Sequence, residues 1–218
     1  IPEGLPDDIE FNPGGLAVVW AEENSRTSIF SALKRKEVYG TSGPRFLVRF
    51  FLGDDLDENL CNRSDAISHA YENGVPMGGT VKSNSMKKVK LFVSASSDLS
   101  SDKQYIEKLQ VIKGVIKNGE VETSIHDIKT SEPTKLDLNT CEVVGIGVKS
   151  MCALWEDIDF NEGDEAYYYV RVIANQSCRW SHDLCIKNPN YCQEDVDSSI
   201  PKFVQERAWT SPVWLENY

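Results

Sequence analysis

Three histidines, six cysteines and two arginine–tryptophan clusters are the residues of this sequence best suited to chemistry. His69, His126 and His182 lie far apart and form no HExxH, HxH or DxH pattern. A self-contained hydrolytic metal site needs three or four converging His, Asp or Glu ligands, so no metal site is expected within the chain. GxSxG, Walker A and GxGxxG motifs are missing too, which removes the common nucleophile and nucleotide-binding signatures. What stands out is Arg179-Trp180-Ser181-His182 and, later, Gln205-Glu206-Arg207-Ala208-Trp209-Thr210-Ser211. Arginine beside tryptophan can stack on the ring or hold an anion in its fork, with a carboxylate to orient it. Arg179, Trp180, Glu206, Arg207 and Trp209 are therefore candidate ligand-binding residues for a sugar or an anion. The same residues also suit a structural role, an Arg–Glu pair bracing two strands under tryptophan lids.

The cysteines sit at 61, 141, 152, 178, 185 and 192. The spacing Cys178-x6-Cys185-x6-Cys192 is not that of a zinc knuckle or ribbon, whose paired ligands stand two to four residues apart. An even count in loop-like surroundings points to disulfides in an oxidising compartment, hence a secreted or periplasmic location. Cys141–Cys152 is the expected first pair, with Cys61, Cys178, Cys185 and Cys192 making the others.

The chain carries 34 acidic and 23 basic residues, a net charge of −11, with no basic stripe. Binding a polyanion through its backbone needs clustered cations, so neither nucleic acid nor an anionic membrane surface is an expected partner. No apolar run approaches the length of a membrane span, and IPEGLPDDIE has neither the basic nor the apolar region of a signal peptide. Asp54, Asp55, Asp57 and Glu58 lack EF-hand spacing and read as a solvated loop.

The elements that must position these residues are mostly strands. In 165–180, EAYYYVRVIANQSCRW, Ala166, Tyr168, Val170, Val172 and Ala174 fall on one face and Tyr167, Tyr169, Arg171 and Ile173 on the other, the pattern of a central strand with two covered faces. Arg171 on such a strand must find a carboxylate, an aromatic ring or solvent. FLVRFFL at 46–52 alternates in the same way. Residues 88–95, 106–116, 121–128 and 202–210 also read as strands, LAVVW at 16–20 as a short buried one, and Val213-Trp214 as the closing strand. Asn118-Gly119 marks a tight hairpin because both turn positions favour positive φ. One helix is expected over about 25–36, capped by Asn24 or Ser25, with Ile29, Phe30 and Leu33 as its apolar stripe and Lys34, Arg35 and Lys36 in its last turn. Residues 1–15 read as a linker, 53–85 and 175–199 as turn-rich loops, and 134–152 as ambiguous. The expected fold is mainly β, an antiparallel β-sandwich of about eight short strands preceded by a short α/β fragment.

Taken together, GLAVVWAEENSRTSIFSALKRKEVYGTSGPR, GVPMGG, LQVIKG, AYYYVRV followed by CRWS, and QERAWTSPVW resemble the C-terminal part of a bacterial domain-of-unknown-function family, DUF3604, over about residues 14–214. Members of that family look like relatives of the PHP (polymerase and histidinol phosphatase) metal-dependent hydrolases within the amidohydrolase-like group. The resemblance implies that residues 1–45 are the end of a PHP-like barrel and 46–218 a β-sandwich that packs on it. It implies that the divalent metal is held by upstream barrel residues, with no cofactor in this chain, and that the chain alone is inactive. Glu22, Glu23, Asn24, Arg26 and Arg45 match the family's barrel-end motif and are the positions expected to face the cleft. The principal partner is then the N-terminal catalytic part of the same protein. A ligand-binding module and a structural interaction domain are the competing readings.

Overall fold

The computed structural model describes residue 11 and residues 14–101, 103–117, 119–191 and 200–217. In chain order the elements are β1 (Leu16–Val19), α1 (Arg26–Lys34), β2 (Val38–Thr41), β3 (Leu47–Gly53), α2 (Ala66–Asn73), β4 (Val75–Pro76), β5 (Thr80–Lys82), β6 (Lys90–Ser96) and β7 (Ile106–Lys117). They continue with β8 (Glu120–Thr130), β9 (Lys135–Asp137), β10 (Glu142–Val144), β11 (Ser150–Glu156), β12 (Ala166–Cys178), α3 (Trp180–Lys187), β13 (Phe203–Thr210) and β14 (Val213–Glu216).

Strand β12 organises the larger sheet, as its alternation implies. One edge pairs with β7, which pairs onward with β8; the other is shared by β13 at its C-terminal end and β14 at its N-terminal end. From β13 the sheet continues through β2 to β1, and from β14 to β5, the one parallel pairing among these strands. The second sheet runs β11-β6-β3-β4, and β9 and β10 form a separate ribbon. Tyr168, Val170, Val172 and Ala174 of β12 meet Val48, Phe50 and Leu52 of β3 and Leu91, Val93 and Ala95 of β6 in one buried cluster between the sheets. The protein is a mainly antiparallel β-sandwich.

Period-2 patterning placed these strands correctly, and the differences lie where packing overrides it. LAVVW forms β1, but Leu16 is exposed because β1 is an outer strand that pairs with β2. The expected single helix is α1, with Ser25 accepting the Ser28 N–H as N-cap. Helices α2 and α3 are additional, inside segments read as loops. No side chain caps α2, and it is held instead by Ala66, Ile67 and Ala70 lying over Phe51 and Phe92 on the outer face of the second sheet. Among the described residues fourteen strands, many of only two to four residues, replace the expected eight or so. Gly119 has φ +82, as a tight hairpin requires; Asn118 lies outside the described residues, as does nearly all of the expected linker at 1–15.

The disulfide pairing also corrects the expectation. Cys61 bonds Cys152 and Cys141 bonds Cys178, so no Cys141–Cys152 bridge forms. Cys152 is in β11 of the second sheet, beside the helical turn that carries Cys61, whereas Cys141 precedes β10 and meets the end of β12. Cys185 is disulfide-bonded as well, and Cys192 lies outside the described residues. These bridges fit an oxidising compartment. No helix among the described residues is long and apolar enough to cross a membrane.

Candidate functional site

Where β1 passes into α1, the chain borders a cavity of about 630 Å³ lined by Trp20, Glu22, Arg35, Glu37, Arg49 and Tyr71, among others. At its base is Glu37, a buried carboxylate whose side chain is 7% exposed. Glu37 follows a left-handed turn at Lys36 (φ 59) that ends α1. Gly78 of GVPMGG packs against that turn so closely that a Cβ there would lie 2.2 Å from the Lys36 carbonyl oxygen, and its own φ is +88. Only glycine fits both constraints.

Three donors converge on the Glu37 carboxylate. The Tyr71 hydroxyl, brought by α2, donates to Oε1; Arg35 Nη2 is 3.3 Å from Oε2; and Arg49 Nη1 is 3.9 Å from Oε1. Arg49 projects from the outer face of β3, alongside Phe51, and its Nη1 also donates to the Tyr71 oxygen at 2.8 Å. Its guanidinium carbon stands 3.3 Å from the centroid of the Trp20 ring, and Trp20 is itself anchored by Nε1–H donating to the Val48 carbonyl at 2.9 Å. Burial first, and then the bond to Glu37, pushes the Tyr71 hydroxyl pKa above the ordinary tyrosine value, so it remains a donor at neutral pH.

Of the barrel-end candidates, Glu22, Glu23, Asn24 and Arg26 are exposed around the start of α1. The Glu22 and Glu23 amides donate to Ser28 Oγ at 3.1 and 3.3 Å, and Glu22 borders the cavity. Arg45 is exposed elsewhere, its amide donating to Asp98 Oδ2 at 3.3 Å, and is not among the residues lining the cleft. The sequence reading does not single out Trp20, Arg35, Glu37, Arg49 or Tyr71 as site residues, and takes Arg35 only as a cation in the last turn of the helix. Arg49 carried a signal, a charge within an alternating apolar strand, the same feature that drew attention to Arg171. Arg171 itself donates from Nε to Gln110 Oε1 at 2.8 Å.

Arg179, Trp180 and Glu206 line a second cavity of about 370 Å³ with Cys141, Cys178 and Lys187. Arg179 is buried and hydrogen-bonds Ser181 Oγ and, at 3.1 Å, the Phe11 carbonyl, which also accepts Trp180 Nε1–H at 2.7 Å. Trp180 and Trp209 are 36% and 37% exposed, so neither is a buried lid. Arg207 and Trp209 do not line this cavity, and Glu206 accepts from the Ser42 hydroxyl.

One group among the described residues brings metal-type donors together, Cys141, Cys178 and His182, within 4.8 Å of one another. Its two sulfurs are joined in a disulfide, so the trio does not fit a divalent metal as it stands. Nor does the first cavity, where Glu37 already faces two guanidiniums. The acids at 54–58, read as a solvated loop, are largely so: Asp54, Asp55 and Glu58 are exposed, and Asp57 lies 2.9 Å from Arg63, which also meets Asp65 at 2.8 Å.

A family model described as "Protein of unknown function (DUF3604)" matches residues 4–217. The chain belongs to the DUF3604 family. No curated protein and no solved structure matches it. For this DUF3604 chain the motif residues of AEEN and TSGPR thus divide, Glu22 reaching the first cavity and Arg45 lying away from it, while GVPMGG supports the turn that presents Glu37.

Proposed function

We propose that this chain is the sheet-built C-terminal part of a PHP-like metal-dependent hydrolase of bacterial origin, and that it packs against a catalytic part of the same protein through α1 and the cleft beside it. The observation that carries this reading is the state of α1. Ala32 is buried, yet Phe30 and Leu33 on the same short helix are 66% and 50% exposed, close in sequence to the half-open cleft of Glu22 and Glu37. An isolated domain gains nothing from large apolar side chains held in water on a helix it has otherwise capped. In this reading residues 1–45 derive from the end of the barrel, although β2 is hydrogen-bonded into the sheet, and 46–218 are the sandwich proper. The divalent metal belongs to the partner part, and the location is secreted or periplasmic. No nucleic acid is involved.

The test is to compare this chain with a longer form that includes the catalytic part, measuring bound divalent metal and hydrolysis of a generic phosphoester. The chain alone is expected to hold no stoichiometric metal and to turn nothing over, while the longer form does both and shields Phe30 and Leu33 from solvent. Stoichiometric zinc or manganese with turnover in this chain alone overturns the proposal.

A second reading, a sugar- or anion-binding module, is favoured by one observation, the exposed Trp180 ring beside Arg179 at a cavity of about 370 Å³. A purely structural interaction domain would use the α1 face without any ligand.

A further inference from the structure

The cations of the first cleft are held in place with hydrogen-bonding capacity to spare. A guanidinium carries five N–H donors in a planar fork. Among the described residues Arg35 uses Nη2 alone, on Glu37, and Arg49 uses Nη1 alone, on Tyr71 with Glu37 nearby. Their side chains are 49% and 24% exposed and line the same cavity of about 630 Å³. A purely structural Arg–carboxylate brace closes fork on fork and buries both partners; here the carboxylate is buried and the forks are left facing open space. Arg35 and Arg49 are balanced in charge by Glu37 and Glu22, which line the same cavity, so it is the unused N–H donors rather than a net charge that favour an oxyanion.

The geometry is set before any ligand arrives. Trp20 is fixed by its bond to Val48, the Arg49 guanidinium stands over that ring, and Tyr71 joins Arg49 to Glu37 in a chain of hydrogen bonds. Immobilising a free arginine costs rotamer entropy on binding, and the stacking removes most of that cost for Arg49. Glu37 orients the two cations and is itself too enclosed to be their intended solvent-side partner.

We propose that this cleft binds an oxyanion, the carboxylate or phosphate group of a small-molecule ligand, in the free fork of Arg49 with Arg35 as the second clamp. Glu37 and Tyr71 are positioning residues, and Glu22, which also lines the cleft, opposes the ligand's charge. The proposal rests on the reading above for its place in a substrate surface. The experiment uses this chain alone, so its outcome does not depend on whether the longer form is a hydrolase.

The experiment is calorimetric titration with inorganic phosphate and, separately, with succinate, in a buffer free of other anions. Binding of either probe supports the oxyanion site, and the stronger one identifies its chemistry. Arg49→Gln is expected to weaken binding about 10-fold or more, because it removes both charge and fork. Arg49→Lys is expected to recover little, since a point charge cannot make the bidentate contact. Arg35→Gln is expected to have a smaller effect, and Glu22→Gln to tighten binding. Lys88→Gln, at an exposed lysine that lines neither cavity, is the control. Thermal unfolding of each variant confirms that it is folded. The proposal is overturned if neither probe binds, if folded Arg49→Gln binds as well as the original chain, or if Arg49→Lys is indistinguishable from it.

Discussion

Two carboxylates among the described residues are buried beside a tyrosine hydroxyl and a cation, Glu37 and Asp157, and they differ in how far the cation is exposed. Asp157, just beyond β11, accepts from Tyr168 at 2.6 Å and lies 2.6 Å from Lys113 Nζ. Tyr168 and Lys113 are direct neighbours across β12 and β7, so the trio ties one sheet to the other. The Lys113 and Asp157 side chains are 7% and 1% exposed, and a second Asp157 oxygen accepts the Asp159 amide. Around Glu37 the same types of group assemble, but Arg49 and Arg35 are 24% and 49% exposed and keep N–H donors that no described residue accepts. Lys113 and Asp157 also border a cavity, of about 380 Å³, but Lys113 has almost no exposed surface and acts as a brace, whereas the part-exposed guanidiniums above Glu37 present theirs to a ligand. Composition does not separate the two; exposure of the cation does.

The sharpest way to break that comparison is Lys113→Met. It leaves a buried, uncompensated charge on Asp157 and is expected to cost roughly 3 kcal/mol or more in urea unfolding. Converting Asp157 to Leu in the same chain should return most of the loss, because an apolar pair needs no ionic partner. A single-variant effect below about 1 kcal/mol would mean that the Asp157 centre is not a structural brace.

The next largest effect concerns alkaline pH. Burial, and then the bond to Asp157, raises the Tyr168 pKa well above its ordinary value of about 10, and burial raises that of Tyr39 as well. A raised folded-state pKa means the stabilisation is complete below the unfolded-state value and is lost as pH climbs past it. Melting temperature should therefore hold steady to about pH 9 and fall above about pH 10. Tyr168→Phe should start lower and show a shallower alkaline fall. A parallel slope in both proteins would place the alkaline sensitivity elsewhere.

Glu37→Gln is expected to cost less, about 1 kcal/mol, because Arg35 is half in water and the ion pairs there are screened. Its clearer consequence is a loosened Arg49, readable as weaker oxyanion binding. The smallest effect on stability is expected from Phe30→Asp with Leu33→Asp. Both side chains are exposed at present, so unfolding should shift by less than about 0.5 kcal/mol. Association with the catalytic part should nevertheless be lost. A large destabilisation would show instead that these residues belong to the core.

Alternation in 46–52 and 166–174 was enough to put Val48, Phe50 and Leu52 on one face of their strand and Tyr168, Val170 and Val172 on one face of theirs, because period 2 assigns each side chain to a face; that these two faces meet was decided by packing. Ser25 as a cap was readable for the same local reason. Helix α2 was not, because its stability comes from docking on Phe51 and Phe92, far away in the chain. The Arg179, Trp180 and Glu206 cavity was partly legible, since aromatic–arginine clusters are conspicuous; Arg207 and Trp209, in the same run of sequence as Glu206, do not reach it.

By itself the sequence settled the strand-rich class, the central strand, the first helix and the family, since each is written in short-range periodicity or in motifs read along the chain. Only the tertiary structure decided which cysteines pair, where the short helices sit, and that residues 20, 35, 37, 49 and 71 enclose one cleft. Those meetings depend on how two sheets and a helix pack together. No local pattern of hydrophobicity encodes which distant side chains packing will bring within hydrogen-bonding reach.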